Sequence, residues 1–114
     1  MKISVKRIYD EAASSDGVRA LVDRLWPRGV SKEEAEIDAW IKDIAPSSAL
    51  RTWFHKDPEK RYEDFSVKYH AELAQNQAAC QELVEGKKHL TLVTSVRDIA
   101  HSHIPTLVSF LEGL

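Results

Sequence analysis

The sequence predicts a small single-domain α/β fold over residues 1–114, with a few-stranded, mostly parallel sheet packed by helices. Three observations lead there. Short apolar runs at strand spacing alternate with longer stripes at helical spacing. The run HLTLVTS passes directly into a helical segment. Residues 29–88 separate two of the strands and supply ample chain for a right-handed parallel crossover.

Residues 3–8 (ISVKRI) place Ile3 and Val5 on one face and Lys6 on the other, the pattern of a half-exposed strand. Residues 18–25 (VRALVDRL) fit two templates, because Val18, Leu21, Val22, Leu25 and Trp26 also fall at helical spacing. Gly17 and Pro27 bracket so short a run that strand is the better assignment, and it gives the sheet a third member. The connection from Tyr9 to Gly17 is shorter than the roughly twelve residues of an ordinary parallel crossover, which leaves antiparallel pairing of the first two strands open.

Ser31 followed by Glu34 reads as a capping box, and Ile37, Trp40, Ile41 and Ile44 form one apolar stripe, so a helix is predicted over 32–43. Pro46 ends it. Ser47 or Ser48 caps a short helix carrying Leu50, Trp53 and Phe54. Asp57 and Pro58 start the next, whose stripe runs from Tyr62 through Phe65, Tyr69, Leu73, Cys80 and Leu83 to Val84, with a break allowed near Asn76 and a stop at Gly86. Residues 89–95 are apolar on both faces, as in a buried strand. Pro105 tolerates only a first helical turn, so the last helix begins near 102–104 and packs through Ile104, Leu107, Val108 and Leu111.

Composition narrows the function classes. Hydrophobic residues at 43% and charged residues at 30% exclude a disordered tail, a collagen-like repeat and a coiled-coil rod. Sixteen Lys and Arg against eighteen Asp and Glu give a net charge of −2, so nucleic acid and anionic membranes have no global electrostatic attraction, and any anion site is local. Lys6, Arg7, Asp10 and Glu11 interrupt the apolar run a signal peptide needs, and no stretch approaches the roughly 18 apolar residues of a membrane span. The expected location is cytoplasmic, with no membrane partner. Cys80 stands alone and shares a helical face with Tyr69 and Leu73, as a core cysteine does.

If the strands at 18–25 and 89–95 are parallel, their carboxyl ends share the edge where open α/β folds place ligands. That edge collects Asp23, Arg24, Trp26 and Arg28 from DRLWPRG, and Ser95, Arg97, Asp98 and His101 from TSVRDIAH. Pro27 and Gly29 suit a type I turn with proline second and glycine fourth, which presents Arg28 outward. Guanidinium groups from separate segments fork onto phosphate or carboxylate oxygens, and an indole beside them offers a stacking face. The structural alternative pairs Asp23 and Asp98 with cations to close the sheet edge and puts Trp26 in the core.

His101 and His103 point in nearly opposite directions on a helix and lack a Cys or Glu companion at ligand spacing, so neither a metal nor another cofactor is expected. His101 positioned by Asp98 suits a general base, while Ser95 is only a candidate nucleophile. HExxH, GxxxxGKS, GxGxxG and GxSxG are all absent. The aromatics from Trp40 to Tyr69 interleave with Arg51, Lys56, Lys60 and Arg61, but their helical spacing assigns them to the core rather than to base stacking.

The segments VKRIYD, DGVRALVDRLWPRGVSKEEAEIDAWIKDIAPSSALRTWFHKDPEKRYEDF and the following YHAEL resemble the YeaO-like family, a bacterial domain family of unknown function. LVDRLWPRG, Trp40 with KDIAPS, and LRTWFH are the most specific pieces. The resemblance implies a cytosolic α/β domain and places the family's polar signature on Tyr9, Asp10, Asp23, Arg24, Arg28, Lys42 and Arg51. Relatives tend to close the third strand with small residues and an Asn-His pair. This chain has Thr94, Ser95, Val96 and Arg97, then Ser102 with His103, which keeps His103 beside His101 as a candidate.

The expected ligand site therefore comprises Asp23, Arg24, Trp26, Arg28, Arg51, Arg97, Asp98, His101 and His103, for a small phosphate- or nucleotide-like anion. No reaction is assigned. The alternatives are a nucleic-acid or ribonucleoprotein accessory module that adds Lys87 and Lys88 to the arginines, or a protein-interaction domain without a pocket.

Overall fold

Strands β1 (Lys2–Arg7), β2 (Val18–Leu21), β3 (Ala39–Trp40) and β4 (His89–Thr94) form one all-parallel sheet in the order β1-β4-β2-β3. The computed structural model describes residues 1–114. β4 sits between β1 and β2, and Leu90, Thr91, Leu92, Val93 and Thr94 are all buried, which explains its nearly continuous apolar character. β1 and β2 never pair, so the antiparallel alternative is not realised. Ten residues lie between Arg7 and Val18. They must return along a six-residue strand and cross two strand spacings, about 20 Å by about 10 Å, within the reach of roughly 33 Å of an extended segment that long. The tight passage explains Gly17: at φ 66°, a Cβ there would overlap the His89 carbonyl oxygen.

The helices are α1 (Lys32–Ala35), α2 (Ser48–His55), α3 (Pro58–Gln75), α4 (Gln77–Val84) and α5 (Ile104–Glu112). The Ser47 hydroxyl accepts from the Leu50 N–H at 3.1 Å to cap α2, and the Glu72 carboxylate takes both the Ser47 hydroxyl and its N–H, tying that cap to α3. The break between α3 and α4 falls on Asn76. Strand alternation sorts the core by face. Ala20, Val22, Leu90 and Leu92 pack with residues of α2 to α5, while Leu21 and Val93 point the other way, toward Ile8, Ala35, Trp26 and Trp40. No helix is long and apolar enough to cross a membrane.

The helix predicted over 32–43 ends at Ala35. Its Ser31 cap is present, accepting from the Glu34 N–H at 3.1 Å. Arg19 stops it, because Nη2 takes the Ala35 carbonyl at 2.9 Å and Nε takes the Glu36 carbonyl at 3.1 Å, with Glu36 turned left-handed at φ 49°. The chain then joins β2 as β3, through Asp38 N–H to the Arg19 carbonyl and Ile41 N–H to the Leu21 carbonyl. The apparent stripe is divided between the two faces: Ile37 and Trp40 cover one, Ile41 and Ile44 the other.

Arg19 is itself buried and reaches Asp16 at 2.7 Å, with Lys6 on the same carboxylate at 2.9 Å. The Ala13 N–H, Lys6 and Arg19 together hold the Asp16 carboxyl down to about 2.

Candidate functional site

β2 and β4 both end at one edge, and the chain beyond β2 is bound to the chain beyond β4 through Asp23. Its carboxylate accepts from the Thr94 hydroxyl at 2.6 Å and from the Ser95 N–H and hydroxyl, each at 2.8 Å. The Trp40 indole donates to the Asp23 carbonyl at 2.8 Å. Arg7, at the end of the neighbouring strand β1, fixes the same exit by donating to the Ser95 and Val96 carbonyls. The Ser95 hydroxyl is thus committed to the Asp23 carboxylate and makes no hydrogen bond to a histidine.

Above this edge lies a cavity of about 420 Å³. Asp23, Arg24, Trp26, Arg51, Asp98, His101 and His103 line it, with Phe54 and Phe65 among the apolar walls. Arg24 is positioned by main chain: Nε donates to the Pro46 carbonyl at 3.0 Å and Nη2 to the Ala45 carbonyl at 3.1 Å. The loop that supplies these carbonyls, 45–47, is extended because Pro46 bars helix there. Arg51 comes from α2. Ion pairs in the chain join Asp16 to Lys6 and Arg19, Asp98 to His101, and Asp23 to His103, so neither Arg24 nor Arg51 has a carboxylate partner.

Trp26 is half-buried, its indole N–H bound to the Val30 carbonyl at 2.7 Å and its ring edge-on to Trp40 at 5.4 Å. Asp98 and His101 meet at 2.9 Å on the rim, with side chains 68 and 69% exposed. His103 lies deeper. Its Nε2 is 3.0 Å from the Val22 carbonyl and 3.6 Å from Asp23. Burial pushes the imidazole below its ordinary value, against the pull of Asp23 and of the Val22 carbonyl.

Arg28 and Arg97 lie outside the cavity and are exposed. The turn falls on Arg28 and Gly29, with Gly29 at φ 77°, the third-position geometry of a type II turn rather than a type I turn with glycine fourth. Pro27 is buried and lines the cavity, so the residue after it swings out. Val96 packs against the main core, which sends Arg97 to solvent. The structural pairings of Asp23 with an arginine and of Asp98 with Arg97 do not form. No group of three or more His, Cys, Asp or Glu side chains is placed to hold a metal ion.

The sequence reading missed the Ala45 and Pro46 carbonyls that orient Arg24, and the Phe54 and Phe65 walls. KDIAPS was the one signal pointing to the former.

A family model described as the Inactive DUF488-N3 subclade matches residues 2–114. The chain belongs to this family. Among curated relatives, the uncharacterized protein YeaO of Escherichia coli is 42% identical over 116 residues, covering 100% of both chains. Uncharacterized proteins of Mycobacterium tuberculosis and Mycobacterium bovis are each 40% identical over 114 residues, covering 98% of this chain and 95% of theirs. The YeaO-like resemblance is thereby borne out. No solved structure matches.

Within this DUF488-N3 chain the expected polar signature divides by location. Asp23, Arg24 and Arg51 meet at the cavity. Asp10 accepts from the Arg7 N–H at 3.1 Å, Lys42 lies over the Trp40 ring at 4.0 Å, and the Tyr9 hydroxyl reaches the Arg28 carbonyl at 3.5 Å.

Proposed function

We propose that this domain binds a small anionic molecule, phosphate-like in its charged group, in the cavity at the carboxyl edge of the sheet. The carrying observation is that Arg24 and Arg51 line one cavity with no carboxylate paired to either, while the buried acid in its lining, Asp23, is already engaged by Thr94 and Ser95. Two guanidinium groups with free donors, one held in place by main-chain carbonyls, suit the fork geometry of an oxyanion. A volume of about 420 Å³ fits a small ligand. Trp26, Phe54 and Phe65 supply apolar wall for whatever the charged group carries.

Lys87 and Lys88 precede β4, at the end of the sheet away from the cavity, which favours a small ligand over a nucleic acid spanning one basic face. The family description includes the word inactive, in keeping with binding without turnover.

Thermal unfolding with added phosphate or sulfate, against chloride at matched ionic strength, tests the reading. Ligand at a hundredfold excess over its Kd stabilises by about 2.7 kcal/mol, roughly 10 °C in Tm for a domain of this size. Both anions also stabilise proteins non-specifically, so Arg51→Ala is the control: it should keep the melting temperature in chloride and lose the saturable part of the anion response. Equal saturable shifts in wild type and variant, or none in either, would refute the proposal. A steep loss of affinity with salt would instead point to a polyanion.

A further inference from the structure

Resting on that reading, we infer that His103 recognises a hydrogen carried by the bound anion, so that the cavity prefers an oxyanion bearing an O–H, such as hydrogen phosphate, to one with none. The partner of Nε2 fixes the tautomer of the ring. The Val22 carbonyl at 3.0 Å can only accept, so the proton of a neutral ring sits on Nε2, and Nδ1 keeps a bare lone pair. The ring is neutral because it is only 7% exposed and its burial disfavours the cation; its place directly before α5, where the helix amide dipoles point a positive end, acts in the same sense.

Nδ1 has no partner within the protein. Every fully buried side-chain nitrogen or oxygen in the chain does have one, so Nδ1 is reached from the open space, and the cavity is the space His103 lines. The ring cannot readily turn away, held by the Val22 carbonyl and by the edge-on contact with Tyr69 at 5.9 Å. A fixed acceptor therefore shares a cavity with the unpaired donors of Arg24 and Arg51. An anion with no hydrogen would set an oxygen lone pair against the Nδ1 lone pair. One carrying an O–H would satisfy both.

Hydrogen phosphate and sulfate share size and charge and differ in that one hydrogen. Calorimetric titration of the intact domain at pH 7.5 or above should show phosphate binding about tenfold more tightly than sulfate, the worth of one hydrogen bond. His103→Gln keeps an amide donor where Nε2 was and removes the Nδ1 acceptor. It should bring the two affinities within about twofold by weakening phosphate and not sulfate. Long-range proton–nitrogen NMR of the wild-type ring should show Nδ1 unprotonated, and with the wild-type preference for phosphate over sulfate it tests the inference even if the variant does not fold. Equal binding of the two anions in wild type, an unchanged preference in the variant, or an Nδ1-protonated ring would overturn the inference while leaving the anion site standing. Binding of neither anion would instead remove the anion site, and this inference with it.

Discussion

Arg19 and Arg24 lie five positions apart, the first near the start of β2 and the second three residues past its end, and their surroundings differ. At the amino end Arg19 is 4% exposed, with donors directed to the Asp16 carboxylate and to the Ala35 and Glu36 carbonyls. Beyond the carboxyl end Arg24 gives two donors to the Ala45 and Pro46 carbonyls, lines a cavity and forms no ion pair. The first arginine is a structural fastener joining three segments. The second is held still by the chain but keeps capacity for something that is not the chain. What separates them is whether acceptors converge on every side of the guanidinium, and those acceptors come from residues distant in sequence.

Removing the fastener should give the largest effect. Arg19→Ala leaves Asp16 with Lys6 as its only cationic partner and frees the buried Ala35 carbonyl and the partly buried Glu36 carbonyl, at a cost of about 3 kcal/mol in urea unfolding. Anion affinity of the molecules that remain folded should be unchanged. A variant as stable as wild type would erase the contrast between the two ends.

The same network has a pH signature. Asp16 is held to about 2 in the folded chain against an ordinary 3.8, so its ionised form favours folding. That contribution is complete above 3.8 and is lost as pH falls from there toward 2. Asp16→Asn should lower stability at neutral pH and flatten the acid limb of the urea midpoint between those values. An acid limb as steep as wild type would mean that other carboxyls dominate it.

Arg24→Gln should fall between the two ends, costing about 1 to 2 kcal/mol through its two carbonyl bonds and weakening anion binding as well. Arg51→Ala should change stability by no more than about 0.5 kcal/mol, because its side chain has no partner to lose, and yet remove anion binding.

The legible parts of the molecule were those governed by local pattern. β1 and β4 follow from their apolar spacing, and the start of α3 at Pro58, its end near Asn76 and the start of α5 follow from residues that cap or break helices. The edge where ligand-type residues would gather was legible too, since two parallel strands end together there. β3 was not. Ile37, Trp40, Ile41 and Ile44 fit a helix until Arg19, fifteen or more positions away, takes the carbonyls a longer helix would need. Arg28 was misplaced because the turn after Pro27 lies one residue later than the proline suggests. His103 was weighed from spacing only as a metal ligand, and the family resemblance kept it as a candidate for the ligand site. Its role rests on a carbonyl of another strand that no spacing reveals.

Arg28 and Arg97 provide the smallest and most local check. Both are exposed and outside the cavity, so Arg28→Ala and Arg97→Ala should each stay within about 0.5 kcal/mol of wild type and leave the phosphate response intact. Arg28 is the more demanding case, because it belongs to the expected polar signature and follows Arg24 by only four positions. If its loss abolished phosphate binding while Arg51→Ala did not, the anion would sit on the outer side of the Pro27 turn, near Tyr9, and the cavity between Arg24 and Arg51 would be only packing space.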